Sequence, residues 1–150
     1  MLTIRDVLTS KSSAIWSVSP QDTAYDAMEI MAEKNIGVLL VIDEENVVGI
    51  VSERDIARTI ILKGQPPRKV LVQELMTRDI YCITPEKSVE ECMGLMTTVH
   101  CRHMPVFERK TLIGLVTFGD IVKALLIEQK IKIEDLESYT SCCEAESFDD

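Results

Sequence analysis

The chain of 150 residues is poor in rings, with one tryptophan, three tyrosines, three phenylalanines and two histidines. It therefore has no stripe of aromatics interleaved with basic side chains on which bases would stack. Its 25 acidic against 16 basic residues, a formal charge of −9, repel a phosphate backbone and disfavour nucleic acid as a partner. Small anions stay open, because donors at close range outweigh a distant net charge. No stretch approaches about 18 consecutive apolar residues, and the opening MLTIRDVLTS lacks the apolar run of a secretory leader. These features predict a cytoplasmic protein with no membrane partner. The five cysteines, Cys82, Cys92, Cys101, Cys142 and Cys143, include no CxxC pair and read as reduced thiols. His100, Cys101 and His103 stand close together but lack the second ligand pair of a structural zinc site, so no metal is expected. A GxSxG elbow, an HExxH helix, a phosphate loop and a dinucleotide fingerprint are all missing, which leaves catalysis without a residue to carry it.

What the chain does have is a repeat. Residues 15–58 recur without a gap as residues 80–123, at a fixed offset of 65. Ile15/Ile80, Pro20/Pro85, Met28/Met93, Met31/Met96, Val41/Val106, Gly49/Gly114, Val51/Val116, Asp55/Asp120 and Ile56/Ile121 are identical across it. Two copies of a unit this long imply a pair of small α/β halves packed on each other rather than an open array, with related clefts between them. Three of the cysteines fall where the first copy has Ser17, Ala27 and Ile36, which points to packing.

Each copy opens on a short apolar strand, Ile15–Val18 or Ile80–Ile83, stopped by a proline. Thr23-x-x-Asp26 and Ser88-x-x-Glu91 are capping boxes for a helix. Its apolar face is Ala24, Ala27, Met28 and Met31 in one copy and Val89, Cys92, Met93 and Met96 in the other, a stripe that reads as core. Two further strands follow, Val38–Ile42 and Val47–Val51, then His103–Phe107 and Leu112–Val116. A last helix starts near Ser52 and runs to about Leu62 in the first copy; from Thr117 it reaches roughly Tyr139 in the second. Short helical lead-ins, Ile4-Val7-Leu8 and Val72-Leu75-Met76, precede the copies and end in Thr9 and Thr77. The order within a copy is β-α-β-β-α, an α/β (α+β) class. The expected division is 1–62 for the first repeat, 63–70 for a linker, 71–127 for the second repeat, and 128–150 for a helix extension with an acidic tail.

The turn from the third strand into the last helix is Gly49-Ile-Val-Ser52-Glu-Arg-Asp55, and again Gly114-Leu-Val-Thr117-Phe-Gly-Asp120. A glycine there leaves room for a flat ring or a sugar, the hydroxyl and free helix N–H groups suit a phosphate, and the carboxylate suits ribose hydroxyls. The same Ser/Thr-x-x-Asp pattern is also a capping box. The two readings are compatible, since a hydroxyl that caps the helix when the site is empty can turn to a phosphate when ligand arrives.

The repeat length, the element order, these turns, and the phrases GIVSERD, RHMPV and GLVTFGDIVKA together resemble a tandem pair of cystathionine-β-synthase (CBS) domains, a Bateman module, over nearly the whole chain. The resemblance implies two pseudo-symmetric repeats packed through their sheets, and a non-catalytic regulatory role. It implies binding of AMP, ADP or ATP, with S-adenosylmethionine or NAD as further possibilities, and no obligatory cofactor. It also implies a homodimer and an unnamed effector protein that senses the cell's energy state through it. Carried over by motif, Asp55 and Asp120 hold ribose, while Ser52 and Thr117 lie by the phosphate, with Gly49 and Gly114 in the same turns. Asp120 is expected to face Ala14, Ile15 and Ile36-Gly37-Val38; Asp55 is expected to face Thr77, Asp79, Ile80 and Arg102-His103-Met104. Leu40 against Pro105, Gly37-Val38 against Arg102-His103, and Arg54 against Gly119 make the clefts unequal, with the basic residues at Asp55 and backbone donors at Asp120. The alternative is a ligand-independent interaction scaffold, or a redox-linked regulator, that works through the C-terminal helix and Cys142-Cys143.

Overall fold

The computed structural model describes residues 1–11 and 14–140, so Cys142, Cys143 and the acidic tail lie outside the described residues. The elements in order are α1 (Ile4–Ser10), β1 (Ser17–Val18), α2 (Ala24–Lys34), β2 (Val38–Asp43), β3 (Asn46–Ser52), α3 (Glu53–Lys63), α4 (Val72–Leu75), α5 (Val89–Val99), β4 (His103–Glu108), β5 (Thr111–Thr117) and α6 (Phe118–Thr140). A single 3₁₀ turn at Pro67–Lys69 precedes α4. Among the described residues no helix is long and apolar enough to cross a membrane.

The chain divides into two compact units. The continuous unit is Ala14–Ile80, and the discontinuous unit joins Met1–Ser13 to Tyr81–Asp150. Each lead-in therefore packs with the strands of the other repeat: α1 with β5, and α4 with β3. The exchange is fixed by backbone. Ile4 N–H donates to Lys87 C=O at 2.9 Å, Arg5 N–H to Pro85 C=O at 3.0 Å, and Val89 N–H to Leu2 C=O at 3.0 Å. In the continuous unit Ile50 and Thr77 exchange both bonds, at 3.0 and 2.8 Å.

Local chemistry explains the elements. Thr23 Oγ1 accepts Asp26 N–H at 3.1 Å while Asp26 accepts Thr23 N–H at 2.9 Å, and Ser88 with Glu91 repeat the exchange. Helices α2 and α5 both end on a left-handed residue, Asn35 (φ 53°) and His100 (φ 56°), and α3 ends on Gly64 (φ 62°). Both hairpins turn through two residues with positive φ, Glu44 and Glu45 in one, Arg109 and Lys110 in the other. That backbone matches the strand twist, although side chains other than Gly or Asn strain it.

The continuous unit gathers Ala24, Ala27, Met31, Leu39, Val41 and Val51 into its core, and the discontinuous unit gathers Ile4, Val89, Met96, Met104, Val116 and Ile121. Three expectations need correction. Met28 is 37% exposed, because it lies at the edge of the α2 stripe that Ala24, Ala27 and Met31 bury; its counterpart Met93 packs partly on the core. Of the thiols, Cys92 is core and Cys101 half-buried, but Cys82 is exposed, as is Ser17 at the same repeat position. Burial, with Cys101 nearby, pushes the Cys92 thiol up to about 11. Finally, the strand expected at Ile80–Ile83 is reduced to a single parallel bridge, Ile83 to Val106. In the first repeat Leu40 N–H donates to Trp16 C=O at 3.3 Å; the second has Pro105 there, which has no N–H to give Tyr81.

Candidate functional site

The two strand-to-helix turns hold the predicted carboxylates, and each is built within its own unit. In the continuous unit Ser52 caps α3: its Oγ accepts Asp55 N–H at 3.1 Å and donates to Asp55 Oδ2 at 2.8 Å. Glu53 N–H donates to Gly37 C=O at 3.0 Å, and Val38 pairs with Ser52, so Ile36-Gly37-Val38 stands beside the Asp55 turn. The Glu53 carboxylate lies over Gly37, where an added Cβ would meet Oε1 at 3.2 Å. Thr77, bonded through its backbone to Ile50, brings the exit of the second lead-in to this turn; Arg78 and Asp79 after it are exposed, and Ile80 is half-buried. Ala14 and Arg54 are exposed and Ile15 half-buried.

In the discontinuous unit the turn is more heavily bonded. Thr117 N–H donates to Asp120 Oδ2 at 2.9 Å and Asp120 N–H to Thr117 Oγ1 at 3.1 Å, a complete capping box. Phe118 N–H donates to Arg102 C=O at 2.8 Å and His103 pairs with Thr117, so Arg102-His103 flanks the Asp120 turn. Met104 and Pro105 are buried behind it in β4. The residue that sequence reasoning missed is Lys11. Its Nζ donates to Asp120 Oδ2 at 2.6 Å and to Leu115 C=O at 2.9 Å. Asp120 thus has a side-chain cation against it, where backbone donors alone were expected.

The electrostatics follow from these contacts. Burial pushes the Asp120 carboxyl up, but hydrogen bonds from Lys11 and Thr117 and the lysine's charge outweigh it, holding the group below its usual range. Burial, then the charge of Arg102, push His103 down against the pull of Asp120. In both turns the bonds fall on Oδ2, and Oδ1 of Asp55 and of Asp120 takes none from the described residues. A cavity of about 330 Å³ opens beside Lys11 and Asp120, walled by Val7, Ala124 and Ile127, with Lys123 at its edge. Among the described residues no cluster of three or more His, Cys, Asp or Glu is arranged to hold a metal ion.

The glycines of the motif have a different role from the one expected. A Cβ on Gly114 would meet Leu8 Cδ2 of α1 at 2.6 Å, and one on Gly49 would meet Met76 at 2.7 Å (Sδ), 2.9 Å (Cγ) and 3.1 Å (Cβ). The room they leave is filled by lead-in side chains, not kept for a ring or sugar. Leu8 yields at its flexible tip, whereas Met76 is met close to its backbone. Gly49→Ala is therefore expected to cost about 2–3 kcal/mol and Gly114→Ala about 1 kcal/mol, and equal losses in urea melts would count against this packing.

The family model for the CBS domain matches residues 4–62 and 72–127. The CBS domain-containing protein CBSX3, mitochondrial, of Arabidopsis thaliana is 35% identical over 147 residues, covering 91% of this chain and 71% of that protein. A putative signal-transduction protein with CBS domains from Burkholderia ambifaria is 41% identical with a TM-score of 0.81, covering 85% of this chain and 96% of that one. A CBS domain pair solved in complex with 5′-methylthioadenosine and S-adenosyl-L-methionine shares the fold at 22% identity and a TM-score of 0.74, covering 85% and 98%. With both repeats matched and the strand-to-helix turns in place, the chain belongs to the CBS-domain family, as a tandem pair.

Proposed function

We propose that the chain is a non-catalytic regulatory module that binds adenosine-containing ligands of the AMP, ADP and ATP class at its two strand-to-helix turns. The observation that carries the reading is the pair of half-buried carboxylates, Asp55 and Asp120, each anchored through Oδ2 to a capping hydroxyl or N–H with Oδ1 left to accept. A carboxylate held in this way is preorganised for ribose hydroxyls. The helix N-terminus beside it favours negative charge. The fold neighbour that holds 5′-methylthioadenosine and S-adenosyl-L-methionine supports adenosine as the common chemistry. In this reading the protein is a cytoplasmic homodimer, and ligand shifts its conformational populations to a state that an effector protein reads.

A second reading has its own observation. Leu126, Ile131, Ile133 and Leu136 on α6 are 65%, 52%, 53% and 66% exposed, as on a helix that offers a surface to another protein. A thermal-shift panel of AMP, ADP, ATP, S-adenosylmethionine, NAD and a guanine nucleotide separates the two. Ligand at a hundred times its Kd adds about 2.7 kcal/mol, a rise of about 5–10 °C for a chain of this size. An adenine-selective rise is expected; a flat panel would leave the interaction surface as the better account.

A further inference from the structure

The two turns differ most where the lead-ins leave their helices. The lead-ins align at an offset of 68, Ile4 with Val72, Leu8 with Met76 and Thr9 with Thr77, which sets Lys11 opposite Asp79. The same position thus carries a cation in one unit and an acid in the other. In the discontinuous unit the Lys11 side chain, 32% exposed, closes on Asp120, 25% exposed, and on the Leu115 carbonyl. Arg102 and His103 flank that turn on the β4 side. In the continuous unit the turn reads Glu53-Arg54-Asp55 and the lead-in exit Thr77-Arg78-Asp79, with Arg54 and Arg78 both exposed.

Resting on the adenosine reading above, we infer that Lys11 is the specificity-determining residue of the Asp120 turn, selecting nucleotides that carry a phosphate over the uncharged nucleoside. Oδ1 is open to one ribose hydroxyl, but the second hydroxyl of the diol reaches Oδ2 only by displacing the ammonium already lodged there. A neutral nucleoside meets that cost with no return. A nucleotide gives the displaced ammonium a phosphate oxygen, a charge-assisted hydrogen bond as strong as the one it lost. Lysine suits this exchange, because its ammonium is a point charge on a flexible stem that can move between two anions. In the continuous unit Asp55 is bonded to Ser52 and, among the described residues, to no cation, so that turn has no lodged ammonium to hand over and the exchange is confined to the Asp120 turn.

The test is calorimetric titration of AMP and of adenosine into the Asp55→Ala chain, which isolates the Asp120 turn, with and without Lys11→Met. With Lys11, AMP is expected to bind about tenfold more tightly than adenosine; with Lys11→Met the ratio is expected to fall below about threefold, mostly through weaker AMP binding. Lys11→Arg, which keeps the charge, should restore the preference. An unchanged ratio in Lys11→Met overturns the inference and leaves the adenosine reading standing. Binding by the unsubstituted chain but not by the Asp55→Ala chain puts the ligand at the other turn and likewise overturns the inference alone. Binding of neither ligand by the unsubstituted chain overturns both.

Discussion

Ile4→Ala lowers the stability of the chain by about 3 kcal/mol, within the range of about 2–5 kcal/mol for truncating a large buried aliphatic side chain. Ile4 is fully buried, in one cluster with Val89, Met96, Val106, Val116 and Ile121, although it lies outside the repeat. Its own N–H is bonded to Lys87 C=O and its neighbour's to Pro85 C=O, so the surrounding backbone cannot slide in to fill the space. The cavity term therefore adds to the lost transfer term. A chain of this length should lose roughly 6–12 °C in Tm, with the urea m-value unchanged. Ile61→Ala is the comparison: Ile61 is 76% exposed on α3 and should move stability by no more than about 0.5 kcal/mol. If Ile4→Ala behaves like Ile61→Ala, α1 is not part of the core of the discontinuous unit.

Sequence alone shows where such elements are, but not what they touch. The capping boxes at Thr23 and Ser88 and the strand-to-helix turns at Ser52 and Thr117 were legible because each is a local bargain between residues three apart, and the same physics wrote it twice. The glycines were legible as close approaches, yet the approaching groups, Leu8 and Met76, lie on lead-ins remote in sequence. Lys11 was illegible for the same reason. A lysine just past a helix has the look of a solvated residue, and its partner Asp120 lies 109 positions away. The available signal was the second, slightly different offset of the lead-ins, which sets Lys11 against Asp79 and marks the position as one where the copies diverge in charge. The shortened strand at Ile83 was signalled by Pro105, whose missing N–H removes one rung. The exposed second half of α6 had no such marker. Ile133 and Leu136 continue the helical spacing of buried Ile121, and periodicity does not say where the core ends.

On the proposed adenosine reading, Asp120→Ala is expected to weaken ligand binding at its turn by about a hundredfold, the loss of two hydrogen bonds to a charged acceptor. It also lowers stability by about 1–2 kcal/mol at neutral pH, because Asp120 Oδ2 holds the Thr117 N–H and the Lys11 ammonium, and both lose that partner. The pH dependence separates the two effects. The folded pKa of Asp120 is depressed below its usual range, so the stability it lends is complete above the unfolded value of about 3.9 and is lost as pH falls through the folded one. The parent and Asp120→Ala chains should therefore differ most from about pH 5 upward, and the difference should shrink as pH falls through the depressed folded value. Asp120→Asn sorts charge from geometry. Its amide oxygen can still accept from Thr117 N–H, so most of the cap survives, but it gives Lys11 no counter-charge. A ligand that needs the carboxylate is lost from both variants, whereas a ligand that needs only an intact turn keeps binding Asp120→Asn. The second result would make Asp120 a helix cap beside the site, and move the ribose to another acceptor.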